Sequence, residues 1–297
     1  MATLARFSLP SRADEVTLNS VADTTLISTV PNNNLGGQPF FNAGITQNRT
    51  TNRAVLRFDL TGQIPPGSTI LSADLLLEVT RQPKDGYSPA SFDLHRLLQP
   101  WGEGDKTFDS SRSPGLGQPT ATNEATWIYR FAFTTNTWTI PGGAATNDFL
   151  PFPSTSQAVF DVGSSPYQFP STAQMVADVQ AWLDHPDFNF GWLLKESSED
   201  TPFTARRFGS REDPNTAPRL VIEFTTLFRI QHVAKSGGEF TLSFAGQAGK
   251  TYSILFRDVA TAGAWTTLTN FTAAADANVS FTNTTSAAQR FYRVSEQ

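Results

Sequence analysis

Runs in which apolar and polar residues alternate recur along the chain. They occur at Glu15–Asn19, Thr24–Thr29, Arg53–Leu60, Ile70–Thr80, Phe92–Leu98 and Ala158–Val162. A period of two marks a strand with one face buried. Leu193–Lys195 extends an apolar stretch from Phe188, and Leu220–Phe224 follows Pro218 as a closing strand. Turn-forming groups separate these runs: Asn32–Gly37, Pro65-Pro66-Gly67, Lys84-Asp85-Gly86 and Pro141-Gly142-Gly143. Short strands with frequent turns predict an all-β sandwich.

One segment follows a different period. In Ser171–Asp184, the residues Met175, Val176, Val179, Trp182 and Leu183 fall on one helical face. Ser171 and Gln174 form a capping box, and Pro186 lies beyond the end. The segment predicts a single helix packed on the end of the sandwich.

A second series of strands follows residue 226: Arg229–Val233, Phe240–Phe244, Thr251–Phe256, Trp265–Leu268, Val279–Phe281 and Phe291–Val294. Their number and spacing match a small immunoglobulin- or fibronectin-like sandwich. The predicted organisation is an arm or leader remnant over 1–14, a jelly-roll-like β-sandwich over 15–226 and a smaller module over 227–297.

Composition narrows the function. Charged residues make up 16% of the 297, against roughly 25% in an average soluble domain. The net charge is −5 and there is no Lys/Arg-rich run, which argues against a nucleic-acid partner. No apolar run reaches the roughly 20 residues of a membrane span. Without cysteine, the chain has no disulfide scaffold, thiolate metal site or thiol nucleophile.

An ordered set of pieces carries a resemblance. They are Ala22-Asp23-Thr24, Asn33–Gly37, Arg57-Phe58-Asp59-Leu60, Ile64-Pro65-Pro66-Gly67, Ser72-Ala73 and Trp101-Gly102-Glu103-Gly104. The set continues with Ala125-Thr126-Trp127, Trp138, Pro141-Gly142-Gly143, Ser210-Arg211-Glu212 and Pro218-Arg219-Leu220. Over residues 15 to 225 this order resembles the DNRLRE family of secreted β-sandwich modules, linked to the family 96 carbohydrate-binding modules. Ala144 stands where an acidic residue often follows the Gly-Gly pair. The last 70 residues resemble small C-terminal modules of secreted Verrucomicrobia and Planctomycetes proteins, through Gly249–Tyr252, Trp265-Thr266 and Phe291–Val294. The resemblance implies an extracellular or cell-surface protein that binds polysaccharide.

Catalysis has little support in the sequence. His95, His185 and His232 form no zinc-spaced pair, and no Gly-x-Ser-x-Gly elbow occurs. Glu196, Glu199 and Asp200 form an acidic cluster whose carboxylates suit glycoside hydrolysis only at a defined separation. The expectation is a non-enzyme. His95 alternates with Phe92 and Leu94 and is expected to face solvent. Arg53, Arg57 and Asp59 are expected to form a salt-bridge ladder on an outer sheet face.

For sugar binding, Trp101, Trp127, Tyr129 and Trp138 form a candidate stacking platform with Arg130 among them; the competing reading places these rings in the core. Arg130, Arg206 and Arg207 are candidate clamps for a carboxylate of an acidic glycan. Asp23, on the first strand, and Glu212, before the last, are candidate ligands for one structural Ca²⁺, and Glu103-Gly104-Asp105 is a second candidate. The alternative function is an adhesive or filament subunit, self-assembled by adding the 1–14 arm to a neighbour's sheet edge.

Overall fold

The computed structural model describes residues 13–108, 115–226, 230–259, 263–275, 277–287 and 289–296. These fall into two compact units, Ala13–Thr225 and the residues from Thr226 on. The 1–14 arm lies outside the described residues except for its last two.

The larger unit runs β1 (Asp14–Ile27), β2 (Asn33–Asn34), β3 (Phe40–Ile45), β4 (Thr51–Phe58), β5 (Thr69–Leu77), β6 (Val79–Arg81), β7 (Ala90–Arg96), β8 (Gln118–Pro119), β9 (Thr155–Val159), β10 (Tyr167–Phe169), α1 (Ala173–Asp184), β11 (Trp192–Glu196), β12 (Arg206–Gly209) and β13 (Arg219–Thr225). The strand order is β10-β5-β13-β1-β4-β11-β7-β9, with β3, β12 and β6 branching from β4. Every strand pairing is antiparallel. This is the all-β sandwich the alternation predicts.

The 14 residues of β1 serve two sheets. Asp14–Asn19 pair with β13; after a bulge at Ser20/Ala22, the rest pairs with β4. Bulges bend a strand and let it change partners. The two inner faces enclose Leu18, Leu56, Phe58, Leu75, Phe92 and Trp192.

Helix α1 closes this core with Met175, Val179, Trp182 and Leu183. Burial of each such side chain contributes roughly 2 kcal/mol before entropy is counted. Trp182 meets Trp192 edge-on, with centroids 4.4 Å apart. The helix begins one residue later than its sequence predicts. Thr172 is the N-cap and accepts from the Met175 N–H at 3.0 Å. Ser171 accepts instead from Ala73 N–H at 2.9 Å. Gln174 donates to Asp178, which is buried on the same face and also holds Trp192 Nε1 at 3.2 Å.

A second core lies on the other face of β4 and β11. Ala22, Leu26, Val55, Leu97 and Leu193 are sealed there by Trp101, Ala125, Trp138 and Phe149 from the long connection after β7. Two expectations fail for this reason. His95 is buried, with Nδ1 2.8 Å from Leu150 O and its ring against Phe149. Desolvation lowers its pKa. The ladder of Arg53, Arg57 and Asp59 does not form. Arg53 makes a bidentate pair with Glu199 at 2.8 and 2.6 Å, while Asp59 accepts from Thr61 N–H.

The smaller unit comprises β14 (Ile230–Ser236), β15 (Glu239–Gly246), β16 (Thr251–Arg257), β17 (Thr266–Thr272), β18 (Ala277–Thr284) and β19 (Phe291–Glu296). They form two three-stranded sheets, β14-β15-β18 and β17-β16-β19. Leu242, Phe244, Tyr252 and Ile254 fill the core between them. No helix among the described residues is long and apolar enough to cross a membrane.

Candidate functional site

A cleft of about 460 Å³ opens beside β3, β12 and the end of β6. Strand alternation sorts the two arginines of β12. Arg206 points inward on the face of Phe208, which stacks on Phe41. Arg207 points to the other face. Arg207 stands directly opposite Arg81 in the β12–β6 pairing, and both line the cleft with Lys84. Five carboxamides complete its polar wall: Asn42, Gln47, Asn48, Asn52 and Gln82. Among the described residues, Asp85 is the single acidic one on the rim.

The guanidinium of Arg207 lies 3.5 Å from the centroid of the Phe40 ring. Its buried Nε has no hydrogen-bond partner among the described residues. Burial, then the Arg81 charge, pull its pKa down to about 10. It stays cationic at neutral pH, yet no carboxylate among the described residues neutralises it or Arg81. Directly opposed like charges destabilise a strand pair. A bound carboxylate or sulfate would relieve that repulsion and satisfy the Nε donor.

The other candidates are placed differently. Arg206 is buried and donates to backbone carbonyls, among them Phe160 O and Ser88 O at 2.8 Å and Thr204 O at 2.9 Å. It staples loops and is not a clamp for ligand. Arg130 donates to Thr137 O and Pro100 O. Trp101 and Trp138 are core residues, their indole N–H groups tied to Phe190 O and Thr126 O. Trp127 is half-buried under Arg53 and against Gly142. Tyr129 is half-buried and bridges to Thr137. Of the candidate four-ring platform, Trp101 and Trp138 are buried, as the competing core reading has them, and Trp127 and Tyr129 are half-buried. The most exposed aromatics among the described residues are Phe152, Phe133 and Phe188, at 78%, 70% and 61%.

A second site brings the calcium candidates together. Carboxyl oxygens of Asp23, Glu103 and Glu212 all lie within 4.8 Å of one another. Three pieces of the motif set converge here. Glu103, expected in a separate candidate with Asp105, joins the first pair; Asp105 instead pairs with Lys106. Arg211 supplies the local positive charge: its Nε lies 2.5 Å from Glu103 Oε1 and 3.1 Å from Glu212 Oε1. Its backbone N–H donates to Asp23 Oδ2 at 3.0 Å, beside Ser20 Oγ at 3.1 Å.

Burial, reinforced by Glu212 and Glu103, pushes the Asp23 carboxyl up to about 8, despite the N–H of Arg211. Burial also raises Glu103. Three carboxyl groups face one guanidinium, and a cation that displaced the Asp23 proton would draw on all three. The donor set suits a hard, oxygen-seeking cation such as Ca²⁺.

The acidic cluster after β11 is engaged in the fold. Glu196 accepts from Ser198 Oγ and from Glu199 N–H, and Glu199 is held by Arg53. Asp200 accepts from Ser198 and Thr201.

No protein-family model matches the chain, and no curated protein matches it.

Proposed function

We propose that this is a secreted, non-catalytic polysaccharide-binding protein of a bacterial surface or extracellular matrix. Its ligand is an acidic glycan held in the cleft beside β12. One observation carries the reading: Arg81 and Arg207 face each other in that cleft without an acidic partner among the described residues. The surrounding carboxamides donate and accept at once, as sugar hydroxyls require. The resemblance of residues 15 to 225 to DNRLRE modules supports the same class. Ca²⁺ at Asp23, Glu103 and Glu212 is the proposed staple, tying β1 to the segments before β13. Retention on a panel of insoluble and acidic polysaccharides tests the reading. Binding to acidic members supports it, and retention on none rejects it.

A second reading, a self-assembling filament subunit, draws on one feature of the smaller unit. Strand β14 pairs only with β15 among the described residues, and Gln231–Ser236 are exposed. An open edge of this kind accepts an added strand. Size-exclusion chromatography and electron microscopy with and without residues 1–14 test it. Polymers that need the arm support it, and a stable monomer in both forms rejects it.

A further inference from the structure

The connection after β7 carries a tight turn at Phe131–Asn136 whose backbone is fixed from both sides. Asn123 N–H donates to Ala132 O at 3.0 Å, and Ala132 N–H donates to Glu124 O at 2.9 Å. Arg130 N–H donates to Asn136 O at 2.9 Å, and the Thr134 hydroxyl donates to Phe131 O at 2.7 Å. Phe133 stands between these bonds.

The backbone of Phe133 is left-handed, with φ of 58°. That region crowds Cβ against the chain, and a bulky residue there is an outlier. Asn123, bonded to the neighbouring Ala132, is also left-handed, with φ of 69°, but asparagine tolerates it. Residue and backbone agree at Asn123 and conflict at Phe133. Burial does not offset the conflict, since Phe133 is 70% exposed. Phe203, with φ of 65°, has its side chain half-buried. A strained conformation that surrounding bonds hold in place, with its side chain in solvent, points to a contact outside the fold.

The other exposed side chains of this region select the partner. Thr135, Asn136 and Thr137 bring hydroxyls and a carboxamide and no charge. A protein partner would call for a contiguous apolar patch. A sugar ring presents an apolar C–H face and a rim of hydroxyls, which matches an aromatic face set among polar groups. We propose that Phe133 stacks on the face of a sugar ring, with Thr135 and Asn136 meeting its hydroxyls. Phe133 does not line the arginine cleft, so this is a separate contact with the polymer. It rests on the polysaccharide reading above.

The test is retention of the full chain on the same polysaccharide panel, with melting temperature measured alongside. Phe133→Asn removes the ring and fits the left-handed backbone; Phe133→Trp keeps a ring. The expected result is at least a tenfold loss of affinity in Phe133→Asn together with a melting temperature higher by about 2–4 °C. Phe133→Trp binds within threefold of the unmodified protein. Should Phe133→Asn not fold, Phe133→Gly makes the same comparison. Undiminished binding by the ring-less variant overturns this inference alone, as does a fall in its melting temperature, which would make the ring structural. Loss of self-association in that variant with glycan binding intact would assign the ring to a second copy of the chain and overturn it too. Retention of the unmodified protein on no member rejects the polysaccharide reading and this inference with it.

Discussion

Arg207 and Arg81 stand directly opposite each other across the β12–β6 strand pair, both lining one cleft, with no carboxylate among the described residues paired to either. An anion bound between the two would relieve that repulsion. The arrangement has a consequence in the free protein. Arg207→Gln removes the repulsion, so thermal stability without ligand stays the same or rises slightly, within about 0.5–1 kcal/mol. Calorimetric melting at low salt measures it; a large destabilisation would show Arg207 to be a structural residue.

Arg206, its neighbour in sequence, behaves in the opposite way. Its guanidinium holds carbonyls of three separate loops from within the fold. Arg206→Ala orphans those carbonyls and opens a void. The expected loss is about 3 kcal/mol or more, read by denaturant unfolding. The same substitution at Arg207 costs little.

The tryptophans make a similar contrast. Trp101→Ala and Trp138→Ala each cut into the second core and are expected to cost about 3–5 kcal/mol. Glycan affinity of the remaining folded protein does not change. A selective loss of affinity with normal stability would restore them as ligand contacts.

Asp23 gives a pH test with a defined sign. Its pKa of about 8 in the fold lies above the ordinary value of 3.8. The folded state therefore binds the proton more tightly than the unfolded chain across that window, and stability falls as pH rises through it. In chelator, the larger unit melts at a lower temperature at pH 8 than at pH 6. Asp23→Asn flattens this dependence. Added Ca²⁺ raises the melting temperature at pH 8 in the unmodified protein and not in the variant. A melting temperature indifferent to Ca²⁺ at pH 8 rejects the cation site.

The sequence reveals these features unevenly. Leu220–Phe224 alternates because the sandwich core covers one of its faces, and β13 follows; Arg53–Leu60 gives β4 although the second core also buries Val55 on its other face. Asp23 and Glu212 could be paired because the first and last strands of a sandwich are often neighbours, and here β1 and β13 do pair. Glu103 is harder to place, since it arrives on an irregular segment. The connection from residue 97 to 150 hides the most. It has no periodicity, yet it covers a sheet face, burying Trp101, Trp138 and His95. The Arg81–Arg207 pair depends on register between strands far apart in the chain. Arg81 precedes a turn signal, and β12 is too short to show alternation.

The most direct test is calorimetric titration with two forms of one oligosaccharide, a polyuronate and its carboxyl-reduced neutral counterpart. The proteins are the unmodified chain and the Arg81→Gln/Arg207→Gln double variant. The account predicts that the unmodified protein binds the polyuronate at least tenfold more tightly than the neutral form, with affinity falling as salt rises. The double variant loses that preference while keeping its melting temperature. Equal binding of both oligosaccharides, or a double variant that binds the polyuronate as tightly as the unmodified chain, would contradict it.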